Sequence, residues 1–138
     1  SVFGMGENMM TGTIPEEITQ WTSLDIFTLY GNMLFGTIPD GISELKNLEY
    51  VDLETNYVTG TIPSKVLELP RLQQLWLSGN SLTGRIPSHV SMDSPLFRLY
   101  LDNNHLTGSI PSELALLGNL EKIWLQNNAL SGKIPDNF

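Results

Sequence analysis

The chain contains no cysteine. Disulfides, thiol nucleophiles and thiolate metal sites are therefore excluded, and the redox compartment is left open. No run of about 18 apolar residues occurs, so nothing in the sequence reads as a membrane span. Basic residues are scarce, with seven Lys and Arg against fifteen Asp and Glu and a formal charge of −8. That balance argues against nucleic acid, because phosphate binding needs clustered cations. The two histidines, His89 and His105, have no second histidine at ligand spacing and read as surface residues. A nucleophile elbow, a phosphate-binding loop and a paired metal motif are all missing. Neither a cofactor nor a metal is expected, and no enzyme.

What the chain does contain is a repeat. Gly-x-Ile-Pro opens at Gly12, Gly36, Gly60, Gly84, Gly108 and Gly132, always 24 residues apart. Four residues before each glycine stands an asparagine: Asn8, Asn32, Asn56, Asn80, Asn104 and Asn128. The apolar slots keep phase as Leu24/Phe27/Leu29, Leu48/Val51/Leu53, Leu72/Leu75/Leu77, Leu96/Leu99/Leu101 and Leu120/Ile123/Leu125. A fixed period in this range specifies a solenoid, and nearly six repeats exceed the roughly three that a continuous core needs.

Within each repeat the Leu-x-Leu segment alternates apolar and mixed residues, the period of a strand with one buried face. The leucines point inward, and the residues between them face out. The following Gly-x-Ile-Pro-x-x-Leu-x-x-Leu returns as a short helix or 3₁₀ turn, with glycine permitting positive φ and proline fixing φ where the chain leaves the strand. The asparagine column reads as structural. Backbone groups in stacked turns need partners, and an Asn side chain supplies both a donor and an acceptor.

The pattern resembles the plant-type leucine-rich repeat, the 24-residue subclass with Leu-[Ser/Thr]-Gly-x-Ile-Pro, over essentially all 138 residues. The resemblance implies an α/β solenoid, a right-handed superhelix with a concave parallel sheet and short helical turns on the convex side. It also implies an extracellular or cell-surface setting, as in receptor ectodomains and secreted inhibitors, and binding rather than catalysis.

In a scaffold of constant columns, specificity resides in the variable outward strand positions. The column between the last two strand leucines reads Gly4, Thr28, Asp52, Trp76, Tyr100, Trp124. The one after it reads Gly6, Tyr30, Glu54, Ser78, Asp102, Gln126, and the one before reads Val2, Ile26, Tyr50, Gln74, Arg98, Lys122. Trp76, Tyr100 and Trp124 are expected side by side and facing solvent, and Trp and Tyr are common anchors of interfaces. The candidate ligand-binding residues are Tyr30, Tyr50, Asp52, Glu54, Trp76, Arg98, Tyr100, Asp102, Lys122 and Trp124.

Charge divides along the chain. Residues 1–69 hold ten acids against Lys46 and Lys65, whereas residues 70–138 hold five of each sign. A protein or peptide ligand, basic where it meets Asp52 and Glu54, is the leading reading. A carbohydrate stacked on the aromatic rings is the second. Ice binding is a third, suggested by Thr11/Thr13, Thr59/Thr61, Thr83 and Thr107 but interrupted by Phe35, Arg85 and Lys133. A structural spacer is the fourth. Asp52 and Glu54 are spaced as paired acids of a glycosidase would be, yet an open sheet offers no water-excluding cleft to raise one pKa. A solvated acidic patch is expected instead.

Two local expectations remain. Asp93 occupies the slot held elsewhere by Trp21, Leu45, Leu69 and Leu117, so irregularity is expected there, with Met92 filling the gap. The chain also begins and ends in mid-repeat. It reads as a segment of a longer array lacking both caps, with Phe3, Met5, Ile134 and Phe138 left at the ends to drive end-to-end association or fraying.

Overall fold

A computed structural model describes all residues, Ser1–Phe138. The Leu-x-Leu segments form strands β1 (Val2–Gly4), β3 (Ile26–Thr28), β5 (Tyr50–Asp52), β7 (Gln74–Trp76), β9 (Arg98–Tyr100) and β11 (Lys122–Trp124), joined in that order into one six-stranded parallel sheet. Its register advances by one repeat per strand: Phe3, Phe27, Val51, Leu75, Leu99 and Ile123 stand in line. Behind it runs one apolar cluster from Ile14 to Leu117, shared by all the stacked repeats.

After each Asn turn the chain forms a second set of short parallel strands. Strands β2 (Thr11–Thr13), β4 (Met33–Thr37), β6 (Tyr57–Thr61) and β8 (Ser81–Thr83) form a four-stranded second sheet, which the Arg85–Thr107 bridge extends to a two-stranded one of β10 (Thr107–Gly108) and β12 (Ala129–Leu130). Here Phe35 pairs with Tyr57 and Thr59 with Ser81, a slip of two residues from the 24-residue period. Two residues are one pleat, so the slip leaves every side chain on its original face. This sheet departs from the expectation that the chain turns directly to a helix after each glycine. Glycine is required in it: Gly60 has φ +77°, and a Cβ there would lie 2.7 Å from the γ-methyl of Thr37 in the preceding repeat. All helical segments are 3₁₀ turns, Glu16–Gln20, Asp40–Glu44, Val66–Glu68 and Ser112–Leu116.

The asparagines close the turns as their chemistry demands. Asn80 Oδ1 accepts from Val58 N–H at 3.0 Å, and its amide donates to the carbonyls of Leu53 at 2.8 Å and Leu77 at 3.2 Å. Asn56 and Asn104 repeat these contacts one repeat earlier and later.

The repeat containing Asp93 is the irregular one, lacking the 3₁₀ turn between Ile86 and Leu96. Met92 does not fill the gap; it is 72% exposed. Asp93 turns out to solvent and carries Met92 with it in a tight turn. Val90 reaches the core, and buried Ser94 accepts from Leu96 N–H at 3.3 Å. A carboxylate without a partner is too costly to bury. Trp21 likewise leaves its expected slot half-exposed and packs edge-on against Phe3 at 5.2 Å. No helix is long and apolar enough to cross a membrane.

Candidate functional site

The register of the six-stranded sheet sets Thr28, Asp52, Trp76, Tyr100 and Trp124 in one row, with Tyr50, Gln74, Arg98 and Lys122 in the row beside it. The aromatics join into a continuous run longer than the sequence suggests. Tyr50 packs edge-on to Trp76 at 5.3 Å, Trp76 tilts onto Tyr100 at 5.1 Å, and Tyr100 stacks on Trp124 at 4.3 Å. Adjacent parallel strands bring successive rings within stacking range.

That packing corrects the expectation of three solvent-facing rings. Tyr100, flanked by indoles on both sides, is only 7% exposed, and Trp76 is half-buried. Only Trp124, with no ring beyond it, is 47% exposed. Tyr30 is exposed at the acidic end of the surface, its ring lying where a Cβ on Gly6 would stand. Lys122 is exposed beside Trp124.

The acidic residues are not the solvated patch their polarity suggests. Asp52 is 4% exposed and Asp102 6%. The Tyr50 hydroxyl donates to Asp52 at 2.9 Å, and Glu54 N–H donates to its other oxygen at 3.0 Å. Burial raises the Asp52 pKa against the lowering effect of these two bonds. Glu54 is raised by burial and by the Asp52 charge. The Tyr50 phenol is raised by burial and then by Asp52, so it stays protonated and serves as a donor. Asp102 accepts from the Ser78 hydroxyl and from the Asn103 amide, which in turn accepts from Asn127 at 2.8 Å.

The ion pairs of the chain are Ser1–Asp25, Lys46–Glu44 and Arg71–Glu49. None involves Asp52, Glu54 or Asp102, so three carboxylates flank the aromatic run without a cation. On the other flank Arg98 donates to Gln74 at 3.1 Å and lies over the Phe97 ring at 5.2 Å. Two buried donors there, Trp76 Nε1 and Arg98 Nε, lack an acceptor. No group of His, Cys, Asp and Glu has the geometry of a metal site.

Ser78, Asn103 and Asn127 belong to this surface although the sequence did not nominate them. The signal was present at two of them: Asn103 and Asn127 hold φ of 54° and 56°, in the column occupied by Gly31 and Gly79. Asparagine is one of the few residues that tolerate that conformation, and the resulting turn presents its amide to the concave side.

Three threonines of the Gly-x-Ile-Pro strands serve the stacked backbone. Thr59, Thr83 and Thr107 donate to the carbonyls of Gly36, Gly60 and Gly84 at 3.2–3.3 Å. Phe35 and Tyr57 project from the same face, 52% and 61% exposed.

A two-layered stack of one-repeat turns with a continuous concave sheet defines a leucine-rich-repeat solenoid, a scaffold that presents a row of side chains from successive strands. The Leucine Rich Repeat family profile matches residues 71–92, 95–117 and 119–138. The chain superposes on the Arabidopsis receptor kinase HAESA, solved with the peptide hormone IDA and the co-receptor SERK1, at a TM-score of 0.95 and 34% identity over 99% of its length. It spans 23% of that receptor chain. Against the BIR3–SERK2 complex from Arabidopsis thaliana the identity is 40% over 94% of this chain and 69% of the other, with a TM-score of 0.80. A plant ice-binding protein matches at 30% identity and a TM-score of 0.80, over 97% of this chain and 43% of that one. No curated protein sequence matches significantly. The chain belongs to the leucine-rich repeat family, in its plant-type form.

Proposed function

We propose that the protein recognises a peptide or protein segment on its concave face, in an extracellular or cell-surface setting, and performs no catalysis. The observation that carries this reading is the aromatic run Tyr50–Trp76–Tyr100–Trp124 beside three carboxylates that have no cation within the chain. Exposed Trp124 offers the anchoring ring, and half-buried Glu54 offers the accessible charge. Asp52 and Asp102 add a negative field from below. A segment pairing an apolar residue with a Lys or Arg satisfies both features, because a desolvated carboxylate gains more from a cation than a solvated one does. The peptide-hormone complex of HAESA lends the reading support by likeness of scaffold.

The test is binding to peptide arrays graded in charge and to glycan arrays, at low and high salt. Trp124→Ala and Glu54→Gln change accessible positions, and Tyr100, buried between Trp76 and Trp124, stays in place to keep the row intact. Binding of basic peptides that weakens in salt and is lost in both variants is the expected result. Salt-insensitive binding of a neutral glycan, lost in Trp124→Ala alone, would transfer the site to a carbohydrate. Unchanged binding in both variants would remove it from the concave face.

A further inference from the structure

The outer face of the second sheet is organised quite differently from the concave one. Its N-terminal half is bulky and acidic. Phe35 and Tyr57 stand more than half exposed on β4 and β6, and beside them a groove of about 220 Å³ is lined by Glu16, Asp40, Thr37 and Thr61. Its C-terminal half carries mostly small residues and a basic groove. In β8 the columns that hold Phe35 and Tyr57 carry Thr83 and Ser81, with His105 the one bulky residue beyond them, and the equivalent groove farther along, about 390 Å³, is lined by Arg85 and Lys133, with Glu113 its one carboxylate. None of Glu16, Asp40, Arg85 or Lys133 forms an ion pair within the chain.

Size and charge thus both reverse along one face, about a midpoint near Thr61 and Thr83. A surface of that kind is complementary to itself when rotated by half a turn. The aromatic bulge of one copy meets the small hydroxyl-lined half of the other, and the acidic groove meets the basic one, twice over. Isologous contacts have this property, with each residue pair occurring twice across the axis. The small residues at the midpoint allow close approach, and the exposed rings supply the apolar area that the grooves alone lack.

We propose that this face pairs with the same face of a second copy of the chain across a two-fold axis. The pairing leaves the concave sheet open and does not depend on what binds there. It also differs from end-to-end stacking through the terminal repeats, which would lengthen the particle.

Sedimentation equilibrium over a range of concentration and salt, with small-angle scattering on the same samples, tests the proposal. A dimer is expected whose dissociation constant rises with salt and whose maximum dimension stays well short of twice the monomer's. E16R/D40R makes both grooves basic, and R85E/K133E makes both acidic; each is expected to weaken self-association by about tenfold or more. Mixed in equal amounts, the two variants should form a heterodimer. Phe35→Ser should weaken the dimer without altering the salt response. A monomer at every concentration would overturn the proposal. So would a dimer of doubled length indifferent to these variants, or a mixture of the two charge variants that stays monomeric. Every changed position is solvent-exposed, and unchanged circular dichroism would confirm that the variants fold.

Discussion

The Tyr50 hydroxyl donates to the Asp52 carboxylate across one pleat of β5, at 2.9 Å, while the Trp76 ring packs edge-on against Tyr50. A polar side chain on a nominally open sheet is thereby enclosed. The enclosure holds the carboxylate pKa up, and it makes Asp52 a liability for stability and an asset for attracting a cation.

A pH dependence follows from the direction of that shift. Asp52 and Glu54 both have folded-state pKa values above the ordinary range, chiefly through burial. The folded protein therefore binds these protons more readily than the unfolded chain. Their contribution to stability is full below the ordinary carboxylate pKa of about 4 and is lost as pH rises through the raised folded values. Asp52→Asn should leave neutral-pH stability unchanged or raise it by up to about 1 kcal/mol, since an amide can still accept from Glu54 N–H and can donate to the Tyr50 oxygen. Urea unfolding at a series of pH values checks this. A loss of stability at neutral pH, or an unaltered pH profile, would count against the buried-charge account. Affinity for a basic peptide should fall in the same variant.

The asparagine column should be sharply intolerant. Asn80→Ala strands the buried Val58 N–H, while the Leu53 and Leu77 carbonyls each lose one of two amide donors and keep Asn56 and Asn104 respectively. A cost of about 2–3 kcal/mol is expected, mostly from the one stranded buried donor, with a smaller part from the lost carbonyl bonds. Asn8→Ala, in an exposed turn where only Met5 and Gly6 carbonyls accept from it, should cost far less. Chemical denaturation of the pair gives the contrast directly.

Gly60→Ala should destabilise through two separable effects. One is the positive φ of +77°, and the other is the 2.7 Å approach of the new Cβ to the Thr37 γ-methyl. Together they should cost about 2 kcal/mol. Thr37→Ser deletes that methyl, so the double variant should recover the steric part and retain the conformational part. Strict additivity in the double-mutant cycle would show that the contact is unimportant.

Thr55 holds φ of 54° where the equivalent positions carry Gly31, Gly79, Asn103 and Asn127. A β-branched residue is poorly suited to that region. Thr55→Asn should therefore raise stability by about 0.5–1 kcal/mol, read as a shift in the urea midpoint at constant slope. A lower midpoint would mean that the threonine makes a compensating contact.

The repeat was legible in the sequence because a 24-residue period constrains every stacked turn at once. Leu75 and Leu99 had to lie inward, and Asn80 had to serve the backbone, in any arrangement that stacks identical turns. The concave rows Asp52–Trp76–Tyr100–Trp124 and Tyr50–Gln74–Arg98–Lys122 followed from the same phase. The second sheet was hidden because its Thr-Gly-Thr strands are short and glycine-centred, and glycine weakens any strand reading. Asp93 announced the irregular repeat, but not that Val90 and Ser94 would close it.

Burial on the concave face was decided only in three dimensions. Whether Tyr100 or Asp52 meets water depends on rings in adjacent repeats, Trp76 and Trp124 for the one and Trp76, packed on Tyr50, for the other. No local pattern in a strand of three residues carries that information, because solvent access is a property of neighbours 24 residues away. The period determined which side chains share a surface; packing between repeats determined which of them remain open to a partner.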